Sequence, residues 1–463
     1  ASLYLMEGLG FSTDGKQLLV RTTFMDDADL GKIHYAVWLY DVSLGQYTSC
    51  LNELIASDGL TALDVDVKSA LIIGSGSNLK IVATRQVRSV DDNPILSLIS
   101  NDVVVKDMIT SMLGPDIQID IKQFSLSDDG RFLAIQTDSN QLAQANHPDT
   151  NDENDIYLID RLTSQVCRVS AFADGSEIYQ PVTLGNVIIN GSLVQVSFVT
   201  NGIFSSKDKN SDTVSPTDAY VWSSKFNDSG LTGSAQFTLL SAGNISNAIG
   251  QVDSQLPLQI TRNGAYFTSS SAEIASSDSN NSNDVFFKSS NGSLSLLTVN
   301  GVNSFSKGAS FLSASSNGTF VGFLSNSPEV SDTVGATQFL LSNRITGDWQ
   351  IISSNNAKIG NNETISGVVS SKGSIVAFTS LSDNFFESQP ALKGSLYLAS
   401  TGWIDNSPPI GNLTISGILA DGQQISVSNT LADADGLGTI SYQWQADGTN
   451  ITGATGISLL LGQ

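Results

Sequence analysis

Phe124-Ser125-Leu126-Ser127-Asp128-Asp129-Gly130-Arg131-Phe132-Leu133-Ala134-Ile135, followed after an acidic loop by Asp155-Ile156-Tyr157-Leu158-Ile159-Asp160, is the stretch that decides the fold. It reads as an apolar strand, a tight turn carrying glycine, a second apolar strand, an Asp/Asn-rich loop and an aromatic-aliphatic third strand. Asp-Gly or Asn-Gly between alternating apolar runs is a strong hairpin signal, because the turn needs positive φ and glycine adopts it without a Cβ penalty. A unit of this kind cannot bury its own apolar face. Its recurrence along the chain therefore predicts a repeat array.

Working outward, Phe11-Ser12-Thr13-Asp14-Gly15 opens a first unit that closes on Val37-Trp38-Leu39-Tyr40-Asp41. A degenerate second unit runs through Ala70-Leu71-Ile72-Ile73 and Lys80-Ile81-Val82-Ala83 and is read as having lost its glycine turn. Later turns fall at Asn190-Gly191, Asn263-Gly264, Asn317-Gly318 and Lys372-Gly373. Their third strands are Ala219-Tyr220-Val221-Trp222, Asp284-Val285-Phe286-Phe287, Phe339-Leu340-Leu341 and Leu396-Tyr397-Leu398. About seven units of roughly sixty residues result, and strand-rich blocks of that length fit radial four-stranded blades better than a solenoid. The expected fold is all-β, a roughly seven-bladed β-propeller over residues 1–401. Ser2-Leu3-Tyr4-Leu5 echoes Ser395-Leu396-Tyr397-Leu398, which predicts that the N-terminal segment lends a strand to the last blade.

The units resemble the TolB-type propeller repeat, with its Ser-x-Asp-Gly turn and a third strand of the form Asp-aliphatic-Tyr-aliphatic. Ser127-Asp128-Asp129-Gly130 and Asp155-Ile156-Tyr157-Leu158 carry the resemblance most closely, Ser12-Thr13-Asp14-Gly15 nearly as well. It covers about residues 1–400 and implies a fold, not an activity.

Residues 402–410, Gly402-Trp403-Ile404-Asp405-Asn406-Ser407-Pro408-Pro409-Ile410, break the repeat and read as a linker, since paired prolines in polar company make a semi-rigid spacer. Residues 411–463 form a second strand-turn series with Ile440-Ser441-Tyr442-Gln443-Trp444 and Ile451-Thr452-Gly453-Ala454-Thr455. This segment resembles the start of the Ig-like sandwich module of bacterial surface proteins. It stops short of the hundred or so residues such a sandwich needs, so an incomplete β-sandwich within a longer protein is expected. No signal-peptide pattern and no bilayer-spanning apolar run is read.

Net charge is −23, with 45 Asp and Glu against 22 Lys and Arg, while only 14% of residues are charged. Such a surface repels nucleic acid and anionic lipid. Two cysteines, Cys50 and Cys167, are too few for a disulfide framework and are expected to be free and buried.

The chemistry-bearing candidates are the loops before the third strands. The third unit has Asp149, Asn151 and Asp155, the fifth has Asp278, Asn280 and Asp284 at the same spacing, and the fourth has Asp208, Asn210 and Asp212. Asp26-Asp27-Ala28-Asp29 and Asp433-Ala434-Asp435-Gly436 are weaker cases. Calcium takes six to eight hard oxygen ligands, and alternating carboxylates and amides on a short loop supply several, so Ca2+ is the expected cofactor. The competing reading is that Asp and Asn merely satisfy their own turns.

His34 and His147 are the two histidines, and neither sits in a Gly-x-Ser-x-Gly elbow or another nucleophile pattern. Trp38 and Trp222 fall on third strands, where packing explains them. The expectation is a non-catalytic, secreted or cell-surface scaffold or adhesion segment binding a protein or glycan through one rim. The alternative is a secreted propeller enzyme, a lyase or glycoside hydrolase, acting on polysaccharide.

Overall fold

The computed structural model describes residues 2–25, 32–56, 60–88, 95–100, 103–105, 107–117, 119–143, 148–151, 153–172, 174–208, 217–243, 251–301, 303–330, 335–355, 358–386, 394–403, 411–431 and 440–462. The chain divides into two compact units, Ala1–Trp403 and Ile404–Gln463. The first is nearly all β and built of successive antiparallel meanders.

The first sheet orders Ser2–Phe11, Gln17–Met25, Ile33–Asp41 and Gln46–Cys50 side by side. The second is built on Ala70–Ile73, Lys80–Val87, Ile95–Ser100 and Val103–Val105. Gln123–Leu126, Phe132–Thr137, Asp155–Asp160 and Gln165–Arg168 make the third in the same simple order. The fourth holds Val182–Asn190, Leu193–Thr200, Asp218–Asn227 and Gln236–Leu239. The fifth holds Gln259–Thr261, Gly264–Ser269, Asp284–Ser289 and Leu294–Leu296. The sixth holds Ser310–Ala314, Phe320–Ser325, Gln338–Asn343 and Trp349–Ile351. The last has three strands, Thr364–Val369, Ile375–Ser380 and Ser395–Ser400.

The apolar cores lie between sheets, as the repeat pattern demands. Phe132, Ile156 and Leu158 of the third sheet pack with Val194, Val196 and Trp222 of the fourth, and Tyr266 and Phe287 of the fifth pack with Phe311 and Phe323 of the sixth. Leu18 and Val20 of the first sheet meet Ala377 of the last, so the two ends of the series are neighbours. This succession of face-packed meanders is a propeller-type arrangement.

The turn that opened the sequence reading has a defined chemistry. Ser127 Oγ donates to Asp129 Oδ1 at 2.6 Å and accepts Phe132 N at 2.9 Å, while Gly130 takes φ 76° and donates its N–H to Ser127 O. Ser12 with Asp14 and Ser315 with Asn317 repeat it at 2.7 and 2.9 Å. The hydroxyl thus holds the turn closed from both sides, which is why serine and Asp/Asn recur two residues apart. In the last sheet Lys372 stands where the acid would be, and Ser370 still accepts Ile375 N at 3.1 Å.

Three expectations are corrected. The second unit keeps its glycines: Gly74 and Gly76, both with positive φ, lie in the connection between Ala70–Ile73 and Lys80–Val87. Ser2–Phe11 does not become a strand of the last sheet. It pairs along Gln17–Met25 from Ser2 opposite Met25 to Phe11 opposite Leu18, and touches the last sheet through Met6 N to Gly394 O at 3.1 Å and Thr379 Oγ1 to Met6 O at 2.7 Å. Full pairing with its own hairpin partner satisfies more backbone groups than lending itself elsewhere would. Trp403, read as linker, belongs to the first unit and stacks on Phe320 at 5.6 Å. Deleting residues 1–8 is still expected to lower the melting temperature steeply, because it strips most of the partner from Gln17–Met25; an unchanged melt would show that strand to be dispensable.

The second unit has a three-stranded antiparallel sheet of Leu413–Gly417, Gln424–Asn429 and Ser458–Leu460 with a short Gln445–Ala446/Thr449–Asn450 hairpin. Ile425 and Trp444 are its buried apolar side chains. This is antiparallel β-structure, and it does not show the expected Ig-like sandwich. Among the described residues no helix is long and apolar enough to cross a membrane.

Candidate functional site

Each of three acidic loops ends on a buried aspartate that begins a third strand: Asp155, Asp218 and Asp284. Oδ1 of each accepts the hydroxyl that follows the fourth strand, from Ser170, Ser241 and Thr298 respectively. The same hydroxyls accept the backbone N–H of Ile156 at 2.8 Å, Ala219 at 3.4 Å and Val285 at 3.3 Å. In the sixth sheet Gln338 and Ser353 make the same relay, 2.6 Å to the side chain and 3.0 Å to Phe339 N. The relay latches the outer strand to the third, a fold-building task that accounts for one oxygen of every one of these acids.

The remaining oxygens differ from loop to loop. In the third, Asp149 Oδ2 accepts Tyr157 Oη at 2.9 Å, and Arg168 Nη1 lies 3.8 Å from Asp149 Oδ1, 3.5 Å from Asp155 Oδ2 and 3.1 Å from Glu177 Oε1. Asn151 donates to Ile178 O at 2.7 Å and accepts Glu153 N. Burial pushes the Asp155 carboxyl above its ordinary range; the Ser170 hydrogen bond opposes this and the Asp149 charge adds to it. A guanidinium therefore stands among the carboxylates that the sequence reading offered to calcium.

In the fourth loop Asp208 is buried and accepts the Tyr220 hydroxyl, which burial first and that carboxylate second hold protonated. Asn210 and Asp212 lie outside the described residues, as do Asp26 to Asp29, His147, Asp433 and Asp435. In the fifth, Asp278 Oδ1 accepts Asn280 N at 3.1 Å, and Asn280 Nδ2 reaches Asp284 Oδ2 at 2.8 Å, Ser304 Oγ at 2.9 Å and Phe305 O at 2.8 Å. Among the described residues, buried Asp278 Oδ2 has no hydrogen-bond partner. Among the described residues no group of three or more His, Cys, Asp or Glu side chains is arranged to hold a metal.

His34 is buried in the first unit, with Nδ1 3.0 Å from Asp66 Oδ2; Asp66 Oδ1 accepts Tyr35 N and Arg88 Nε. This anchors the second sheet to the first rather than activating a nucleophile. Both cysteines are free. Burial pushes the Cys167 thiol up to about 11, which keeps it neutral and unreactive.

Among the described residues, cavities open between sheets. One, of about 220 Å³, lies between the third and fourth and is lined by Tyr157, Cys167, Arg168, Phe172 and Trp222 among others. Another, of about 340 Å³, lies between the fifth and sixth and is lined by Phe287, Asn291, Ser293, Ser295, Ser342 and Arg344 among others. Arg344 lies 4.3 Å over the Phe287 ring and gives Nε to Gly318 O at 3.0 Å. Arg21, Arg88, Arg131 and Arg168 each meet a carboxylate, whereas Arg344, like Arg85, Arg161 and Arg262, has no ion pair among the described residues. Sequence reading missed this cleft because its lining comes from two units and carries no motif.

No family model and no curated protein sequence matches the chain. Among solved structures it is similar to the β-propeller domain of the Trilobed protease from Pyrococcus furiosus, described as having an open velcro topology, at 10% identity and TM-score 0.48 over 87% of this chain and 94% of that one. It is also similar to an acylaminoacyl peptidase in complex with a chloromethyl ketone, at 9% identity and TM-score 0.39 over 81% of this chain and 50% of that one. A third likeness is to TolB from Acinetobacter baumannii, at 12% identity and TM-score 0.32 over 80% and 78%. These are likenesses of fold. The expectation of a surface scaffold or adhesion segment is corrected to this extent: these similar solved propellers are those of peptidases and of TolB, not of surface scaffolds.

Proposed function

We propose that the chain is an accessory, non-catalytic propeller of about seven blades that works beside a peptidase and holds peptide through the cleft between its fifth and sixth sheets. The observation that carries the reading is Arg344. In a chain of net charge −23 it is a cation left without a carboxylate among the described residues, on the wall of a cavity of about 340 Å³. A cavity of that size, lined by hydroxyls, an amide and one fixed cation beside the apolar Phe287, Leu296, Leu297 and Val299, suits a small group bearing a carboxylate, as a peptide C-terminus does. Phe287 beneath the guanidinium fixes its plane and reduces the rotamer entropy lost on binding.

The test is a calorimetric titration of the whole chain with short peptides carrying free or amidated C-termini. Saturable binding of the free-acid peptides is expected, weakened tenfold or more by amidation and by Arg344→Gln. Equal affinity for both peptide forms, or none for either, would overturn the reading.

A further inference from the structure

The third and fifth acidic loops are built on the same frame but differ at two positions that supply partners. Asp149, Asn151, Asp155 and Ser170 of the third correspond to Asp278, Asn280, Asp284 and Thr298 of the fifth, with equal spacing through the first three and the same relay to the hydroxyl. Tyr157, two residues after Asp155, gives its hydroxyl to Asp149 Oδ2; the residue two after Asp284 is Phe286, which has no hydroxyl to give. Arg168, two residues before Ser170, brings its cation to the carboxylates; the residue two before Thr298 is Leu296.

Both losses are visible as unmet demand. Asp278, 8% exposed, keeps Oδ2 buried with no partner among the described residues, and Asp284 is 0% exposed. The Asn280 amide, with two hydrogens, is set among three acceptors, Asp284 Oδ2, Ser304 Oγ and Phe305 O. Burying two carboxylates without a compensating charge is costly, so the fifth loop has an electrostatic deficit that the third loop fills from its own chain.

We propose that the fifth loop binds a hard divalent cation, Ca2+, through Asp278 and Asp284 with amide and carbonyl oxygens completing the shell. The ion takes the part that Arg168 plays in the third loop. Oxygen-only donors, two of them carboxylates, fit calcium and not a nitrogen- or sulfur-seeking metal. This site is independent of the Arg344 cleft, and neither proposal needs the other.

The whole chain, freed of metal, is titrated calorimetrically with CaCl2 alone, and its thermal melt is taken with Ca2+ and with excess chelator. One saturable event and a higher melting temperature in Ca2+ are expected. Asp278→Asn should raise Kd tenfold or more. If that variant does not fold, Phe286→Tyr is the second arm: it gives Asp278 Oδ2 the hydroxyl that Asp149 has, and should weaken Ca2+ binding while raising the melting temperature in chelator. No calcium binding by the unaltered chain, or binding that both variants leave unchanged, would overturn the proposal.

Discussion

Arg131→Ala is expected to cost about 3–5 kcal/mol of stability, the usual penalty for stranding one member of a buried ion pair. Arg131 makes a two-pronged contact with Asp160, Nε to Oδ1 at 2.9 Å and Nη2 to Oδ2 at 2.7 Å, and the Asp160 side chain is 1% exposed. Its guanidinium also donates to Asn227 O and lies 5.0 Å from the rings of both Phe132 and Phe226, so one side chain joins the third sheet to the fourth. Burial alone would raise the Asp160 carboxyl, but the Arg131 hydrogen bonds and the Leu162 N–H outweigh it and hold the group below its ordinary range. Because the folded value is depressed, this stability is present above the ordinary carboxylate range and is lost as pH falls through the folded value. The variant should therefore differ most from the parent at neutral pH and less in acid. Urea denaturation at pH 7 and pH 3.5 checks this, with Arg131→Lys expected to recover only part of the loss because an ammonium cannot make the two-pronged contact. An equal deficit at both pH values would mean that Arg131 matters for packing alone.

The hairpins were legible because their determinants are local. Ser127, Asp129 and Gly130 lie within four residues and hydrogen-bond to one another, so the sequence pattern is the structure. The fate of the acidic loops was not legible in the same way. Whether Asp149 and Asp155 face a metal or a guanidinium is decided by Arg168 and Glu177, which come from the fourth strand and the loop beyond it. The recurrence of Asp, Asn and Asp picked out Asp155 and Asp284 but missed Asp218, and it could not say that these three aspartates latch Ser170, Thr298 and Ser241. The N-terminal strand shows the same limit in another form. Ser2-Leu3-Tyr4-Leu5 and Ser395-Leu396-Tyr397-Leu398 are alike as sequences, yet the former runs beside Gln17–Met25, because a hairpin partner a few residues away costs less loop entropy than one at the far end of the chain. The Arg344 cleft is the extreme case, its walls drawn from the fifth and sixth sheets with no residue pattern in either.

Arg168→Leu is expected to be comparably damaging, by about 3–5 kcal/mol, for it leaves Asp149, Asp155 and Glu177 crowded together without their cation. As for Arg131→Ala the gap should widen as pH rises, but here the widening extends through neutral pH. Burial already raises the Asp155 carboxyl, with Asp149 adding to it and Arg168 opposing, so removing Arg168 raises it further. For a group whose folded value is raised, stability is fully present below the unfolded carboxylate value and is lost as pH climbs through the folded one. The variant should thus be nearest to the parent at pH 4–5 and fall away toward pH 8, read as a widening gap in melting temperature. The same substitution makes the third loop resemble the fifth at one of the two positions where they differ, since Leu296 is the residue there. Calcium should therefore narrow the gap at pH 8 and chelator should widen it. A gap that neither pH nor calcium changes would mean that Arg168 contributes mainly through its packing against Tyr157 and Cys167 in the neighbouring cavity, and that the carboxylates around it find their partners elsewhere.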